Sequence, residues 1–329
     1  MKTITQPKRG PYLRASLVLF STLILFTGCA TYQQKVARGV GELRSGKPEL
    51  AAAEFKKNAE AEGKDQLVYL FEYATALQAA GKYDESTKSF LHADRLAEFK
   101  DYHSISRVGG SLLLSEEMIQ YKGENFEKVL INAFLAINYM MKRDPENALV
   151  EIRRLNEKLK IDTSAGPAAN QYQSFIRYLS GLLWEDEGKW DDAYIDYEAA
   201  YKQQIPISYI YRDLIWSAQK AKREDAIQKW KARFPNEKPD PRRDDPSYGE
   251  LVVIYQQGMG PQKFPNPDFN LVPKLYPRFS SGVKGKVEVE GGPKVTTEVL
   301  LDVDDVAIKT LNGAYAELIA KRLAAVATK

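Results

Sequence analysis

The chain offers few residues whose types and spacing could do chemistry. Its two histidines, His92 and His103, make no HxxxH or HExxH pair, so no zinc site is expected from them. Glu185-Asp186-Glu187 and Asp302, Asp304 and Asp305 bring carboxylates together. The first cluster reads as a solvated helix end and the second as a helix N-cap with dipole-stabilising acids. Neither has a partner in the sequence for acid–base work. Gly258-Met259-Gly260-Pro261 reads as a turn, and no GxSxG or P-loop pattern occurs. Arg153-Arg154 could meet a lipid phosphate or a carboxylate; the plainer reading is a solvated helix face. No enzyme, metal, cofactor or small-molecule substrate is expected. The remaining reactive group is Cys29, the only cysteine among 329 residues, which rules out an intramolecular disulfide or a thiol metal cage.

The surroundings of Cys29 say what it does. Lys2, Lys8, Arg9 and Arg14 precede an apolar run from Ala15 to Phe26, a charged segment and a short apolar core in the order of a secretory signal. The run is too short to span a bilayer comfortably and ends Phe26-Thr27-Gly28-Cys29-Ala30. This resembles a bacterial lipobox, with a small residue before a cysteine that is acylated and becomes the mature N-terminus. Phe26 departs from the aliphatic residue usual at its position, and an uncleaved anchor or an ordinary signal peptide is the alternative. Several acyl chains, at about 0.8 kcal/mol per buried methylene, anchor stably where one does not. Ala30 after the cysteine implies, by resemblance to sorted lipoproteins, the outer membrane facing the periplasm. The leader also explains the charge. The chain has 47 basic and 44 acidic residues; without the four leader cations, 43 face 44, or −1. Nothing points to a nucleic-acid partner.

Beyond the leader the organising stretch is Arg177 to Lys202. Gly181, Trp184, Gly188, Ala193, Tyr197 and Ala200 fall at the offsets of a tetratricopeptide (TPR) repeat, a helix–turn–helix closed by small residues. Equivalent turns are expected at Gly46, Gly81, Arg143, Gly188 and Ala221, at intervals of 35, 62, 45 and 33 residues against a repeat of about 34. The long interval leaves room for a helix at Ser111 to Tyr121, and Thr163 to Pro167 reads as a loop. The expected fold is mainly α, a TPR-like α-solenoid of about five helix-turn-helix units followed by a small α+β module. Residues 1–28 form the signal peptide, 29–234 the repeats, 235–250 a linker rich in proline and charge, and 251–329 the module. In the module, Leu251 to Tyr255 reads as a buried strand and Phe264 to Pro277 as an extended surface run. Val283 to Glu290 and Val295 to Val303 read as a hairpin, with a helix from Asp304.

The stretch from Tyr121 to Leu159 resembles a family of bacterial outer-membrane lipoproteins with TPR-like repeats that has no characterised activity. The resemblance rests on Tyr121, Gly123, Glu127, Ala136, Asn138, Tyr139, Ala148, Glu151, Arg153 and Arg154, and extends to Gly249–Pro261. Some members are encoded beside a lipoprotein activator of peptidoglycan synthesis. The implied function is a lipid-anchored adaptor for envelope proteins. The alternatives are a permanent subunit of an envelope assembly, which could serve the cell wall, and an enzyme with its site in the last module. In such a solenoid the first helices line a groove, here with Val36, Phe71, Ala133, Tyr178 and Tyr211. Phe71, Tyr178, Tyr211, Asn138 and Arg154 are the candidate partner-binding residues. Two other readings stay open: these side chains pack against the adjacent repeat or the extra Ser111 to Tyr121 helix, or the C-terminal helix, Asp304 to Ala327, fills the groove. Cys29→Ser is expected to leave a soluble or unprocessed precursor, because acylation needs the thiol. Membrane fractionation and the mass of the N-terminal peptide check this, and normal cleavage with outer-membrane recovery would exclude the lipoprotein reading.

Overall fold

The computed structural model describes residues 32–107, 121, 123–161, 169–203, 207–237, 240–269, 272–278, 284–292 and 294–327. Cys29, the loop at Thr163 to Pro167 and all of the expected helix at Ser111 to Tyr121 except Tyr121 itself lie outside them. Among the described residues ten helices form five antiparallel pairs: α1 (Tyr32–Arg44) with α2 (Pro48–Glu60), α3 (Gln66–Ala79) with α4 (Tyr83–Arg107), α5 (Asn125–Met141) with α6 (Pro145–Ile161), α7 (Ala169–Asp186) with α8 (Trp190–Lys202), and α9 (Ile210–Lys220) with α10 (Glu224–Arg233). No helix among the described residues is long and apolar enough to cross a membrane.

Each pair is closed by one turn geometry. The first helix ends in a residue of positive φ: Gly46 (69°), Gly81 (70°), Arg143 (57°), Gly188 (67°) and Lys222 (57°). The two amides around it then reach back to the last turn. Lys189 N donates to Trp184 O at 2.7 Å and Gly188 N to Glu185 O at 2.9 Å, and the same two bonds recur at Lys47, Lys82, Asp144 and Arg223. This is the Schellman arrangement, which satisfies carbonyls that the helix end would otherwise leave bare. Four expected turns fall where the spacing put them. The fifth lies at Lys222, one residue after Ala221.

Close helix approach explains the small residues. A Cβ on Gly181 would lie 2.5 Å from the Tyr197 ring, and one on Gly39 would lie 2.3 Å from the Phe55 ring. Both rings are fully buried, so neither can swing aside. Successive pairs then share their apolar faces. One core runs through α1 to α5 around Phe55, Leu67, Leu77 and Phe90, and a second through α5 to α10 around Tyr172, Tyr197, Leu214 and Trp230. A pair leaves a face uncovered until the next pair stacks on it, which is why such folds are built by repetition.

After α10 the chain turns through a short 3-10 helix, Pro241–Asp244, and runs extended to a hairpin of β1 (Gln262–Phe264) and β2 (Lys274–Tyr276). These strands fit between prolines, β1 between Pro261 and Pro265 and β2 between Pro273 and Pro277. The expected surface run is therefore a second hairpin, with the Phe264 and Tyr276 rings 5.9 Å apart. The expected hairpin is present as β3 (Lys286–Glu288) and β4 (Lys294–Thr296), with Val287 opposite Val295. The last helix, α11 (Val303–Ala327), starts at Asp302, which accepts a hydrogen bond from the Asp305 amide at 3.1 Å. Its first turn buries Val306 and Ala307 in the core that α7 lines.

Gly39 and Gly41 share α1 but meet different surroundings, since nothing lies within 4 Å of a Cβ built on Gly41. Gly39→Ala is expected to cost about 1–3 kcal/mol by overpacking. Gly41→Ala should gain about 0.5–1 kcal/mol from the reduced freedom of the unfolded chain. Thermal denaturation of the two variants checks the opposite signs.

Candidate functional site

The described residues that follow the repeats stay on the solenoid. They cross it as an arm, Asp240 to Phe264, over the first helices of the pairs. At one end Arg243 reaches the gap between α7 and α9. Its Nη2 lies 2.9 Å from Asp213 Oδ1, 3.4 Å from Glu185 Oε1 and 3.0 Å from Glu250 Oε2. The guanidinium carbon lies 5.7 Å from the centre of the Trp216 ring. Further along, Gln256 Nε2 donates to Gln78 Oε1 on α3 at 3.3 Å, and Met259 packs against the first core. Lys263 Nζ lies 3.6 Å from Glu124 at the start of α5, and its carbonyl accepts from Gln33 Nε2 on α1 at 3.3 Å.

The acidic pocket is built by the repeats. Asp213 on α9 accepts from Tyr178 Oη at 2.7 Å, and Glu185 on α7 accepts from Tyr197 Oη at 2.6 Å. Burial pushes the Asp213 carboxyl up to about 6, although Arg243 and the Tyr178 hydrogen bond pull against it. Burial likewise pushes Glu185 up to about 7, opposed by the Tyr197 hydrogen bond and by Arg243. Sequence reasoning placed Glu185 in a solvated cluster and missed Asp213 and Arg243. The signal for Glu185 was its place two helical turns after Tyr178, on the same face. For Arg243, in a proline-rich stretch without periodicity, no local signal existed.

The five candidate residues fall in different places. Tyr178 and Tyr211 are buried, so they are core groups and not an open aromatic wall. Tyr178 packs on Tyr197 and Tyr209, and Tyr211 packs on Phe234 while its hydroxyl accepts from Arg212 Nε at 2.6 Å. Of these contacts only that of Tyr178 with Tyr209 reaches the next unit; the others lie within the residue's own helix pair or at its end. Phe71 is half-buried against the first core. Asn138 is fully buried and works between pairs: it accepts from Gln78 Nε2 at 2.8 Å and donates to Ser86 Oγ at 2.9 Å. Arg154, 52% exposed at its side chain, lies 3.7 Å from Asp94 and from Glu151. That is between α4 and α6, both second helices, away from the arm. Several residues of the family-like stretch are structural in the same way. Tyr121 donates to Glu127, whose carboxylate also accepts from the Glu124 amide at 2.7 Å, and Glu151 accepts from Asn132 Nδ2 at 2.6 Å.

Leu251 to Tyr255, expected as a buried strand, is neither buried nor paired into one. Its five apolar side chains are 37% to 68% exposed. On the first helices the apolar side chains Tyr178, Tyr211 and Leu214 are already buried without them.

No protein-family model matches the sequence, and a comparison with curated proteins likewise finds no match. Among solved structures, the chain is similar to MamA from Desulfovibrio magneticus RS-1 at 15% identity, over 60% of this chain and 88% of that one, with a TM-score of 0.38. It is similar to BtubC from P. vanneervenii at 12% identity, over 74% and 92%, with a TM-score of 0.40. A kinesin light chain with nearly identical TPR-like repeats from Podosopora anserina gives 10% identity, over 62% and 97%, and 0.39. Scores this low leave the repeat assignment resting on the five helix pairs and their common turn.

The pocket makes stability depend on pH. Glu185, ordinarily near 4.5, is raised to about 7 by burial. The stability it contributes is complete below the ordinary value and is lost as pH rises through the raised one. The loss is about 1 kcal/mol per pH unit across that window. Asp213, raised to about 6, contributes the same way at lower pH. Chemical denaturation of Glu185→Gln is therefore expected to show little decline between about pH 6 and about pH 7, where the unaltered protein declines.

Proposed function

We propose that the chain is a lipid-anchored scaffold of TPR-like repeats that holds another envelope protein at the periplasmic face of the outer membrane. Anchoring is supported by the lipobox-like run ending in Cys29, the only cysteine. Scaffolding is supported by the architecture, since stacked helix pairs make an extended surface whose first helices meet a second chain segment along their length. The observation that carries the reading is the arm. It lays an extended segment across the first-helix face and leaves five consecutive apolar residues, Leu251 to Tyr255, exposed. A contiguous apolar patch of a few hundred Å² is the usual mark of an interaction site.

The test is crosslinking in the bacterium that makes the protein. A photoreactive amino acid placed at each position from Leu251 to Tyr255 is expected to give a discrete adduct in the outer-membrane fraction. The adduct should disappear when Cys29→Ser is introduced. No adduct at any of the five positions, with the protein correctly fractionated, would overturn the scaffold reading.

A further inference from the structure

The scaffold reading places a partner on the arm and first-helix face, and the pocket beneath Arg243 says what chemistry that partner carries. Two acidic side chains, Asp213 and Glu185, are held at the pocket by repeat residues that would keep them in place without the arm. Tyr178 Oη fixes Asp213 at 2.7 Å and Tyr197 Oη fixes Glu185 at 2.6 Å. Trp216 supplies an aromatic ring at 5.7 Å from the guanidinium carbon. Lys220 Nζ lies over the same ring at 4.3 Å, so the choice of cation falls to the two carboxylates, whose geometry suits the planar, multiply donating guanidinium better than an ammonium.

The present occupant fits that site poorly. All three carboxylate contacts of Arg243 are made by Nη2 alone, and Nη1 is buried without a hydrogen-bond partner. A guanidinium free to enter along its own axis would place two parallel N–H groups on a carboxylate, the stronger arrangement. Arg243 is restrained by its tether, since only eight residues separate it from Phe234 at the end of α10.

The arm is also lightly held there. From Pro235 to Gly258 no described residue is buried. Other ties at this end are the exposed pair Lys220–Asp244 at 3.0 Å and a hydrogen bond between Tyr211 and Glu237, and exposed pairs contribute little. With so little other surface buried, opening this segment costs mainly the Arg243 contacts, which an incoming guanidinium would replace.

We infer that the pocket between α7 and α9 is a recognition site for an arginine side chain in an extended segment of the partner protein. Arg243 fills it in the absence of that segment and is displaced when it binds. The charge fits: one guanidinium enters a pocket that Asp213 and Glu185 of the repeats make acidic.

The experiment uses the mature full-length chain and a fluorescent peptide of the arm itself, Asp240 to Glu250, which carries the one arginine arrangement known to fit. Binding is read by anisotropy. The unaltered protein should bind the peptide weakly, because its own arm competes at high effective concentration. Arg243→Ala, with the site empty, should bind at least about tenfold tighter. A peptide with alanine in place of the second arginine should lose at least about tenfold on that variant, the usual loss when one charged hydrogen-bonded partner is removed. Arg243→Lys keeps a cation in the pocket and guards against failure of the alanine variant to fold; it should give an intermediate affinity. Equal binding of the two peptides to folded Arg243→Ala or Arg243→Lys would overturn the inference. So would equal binding of the native peptide by the unaltered and variant proteins. The peptide result stands apart from crosslinking at Leu251 to Tyr255, so a missing adduct would sink the scaffold reading without touching the pocket.

Discussion

Every part of this structure depends on one steric constraint, the close crossing of the two helices in a pair. At Gly181 the crossing is so tight that a single added carbon would meet the Tyr197 ring at 2.5 Å, and at Gly39 the same is true of Phe55. The tight crossing turns the aromatic ring inward and makes it part of the core. It also fixes where the next pair can sit, because the ring's far side becomes the surface on which that pair stacks. The positive-φ turn is the other half of the constraint. It reverses the chain within three residues, short enough that the second helix begins in contact with the first.

Polar groups buried at these crossings add specificity to what is otherwise non-directional apolar packing. Asp196 on α8 accepts from Arg177 at 2.6 Å, from Trp184 at 3.1 Å and from Ser180, all on α7. Asn138 ties α5 to α3 and α4 through Gln78 and Ser86. Each such group is satisfied only in one relative placement of the helices, and leaving it bare costs more than the bond contributes. The Gln78 side chain extends this network to the arm by accepting from Gln256. The polar network inside the solenoid and the path of the arm across it are therefore continuous.

Much of the repeat architecture was legible in the sequence, because a repeat's signals are local. Gly46, Gly81, Arg143 and Gly188 announce their turns by spacing, even where Arg143 stands in place of glycine. The fifth turn slipped to Lys222 because neither Ala221 nor its neighbours carry a residue that prefers positive φ. The strands Gln262–Phe264 and Lys274–Tyr276 were hidden by the prolines on either side, which shorten a strand without preventing it. The candidate site was less legible for a different reason. Periodicity identifies an apolar face but not what covers it. It could therefore mark Tyr178 and Tyr211 as inward-pointing without telling a groove wall from a buried contact. For Leu251 to Tyr255 the composition was read as burial, whereas Tyr178, Tyr211 and Leu214 are already buried without them.

Charge explains why the arm lies where it does. The repeats satisfy Asp213 and Glu185 with tyrosine hydroxyls, which solvate a carboxylate but do not neutralise it. Burial shields both acids from water and holds them back from ionising, as their raised values show, and for Glu185 the charge on Asp213 adds to this. Lys220 of α9 reaches the Trp216 ring at 4.3 Å, but among the described residues the cation paired with Asp213 and Glu185 comes from residue 243, beyond the last repeat. Arg243 also brings Glu250 with it, so the arrangement is not a neutral pair but an acidic cluster around one guanidinium. Such a cluster holds its cation well and remains a good site for another. Helix pairing alone would have been better served by apolar residues at positions 185 and 213, since a buried ion pair seldom stabilises more than well-packed hydrocarbon. Keeping acids there stabilises the occupied pocket at the expense of the empty one, a property that favours a surface built to accept a charged segment.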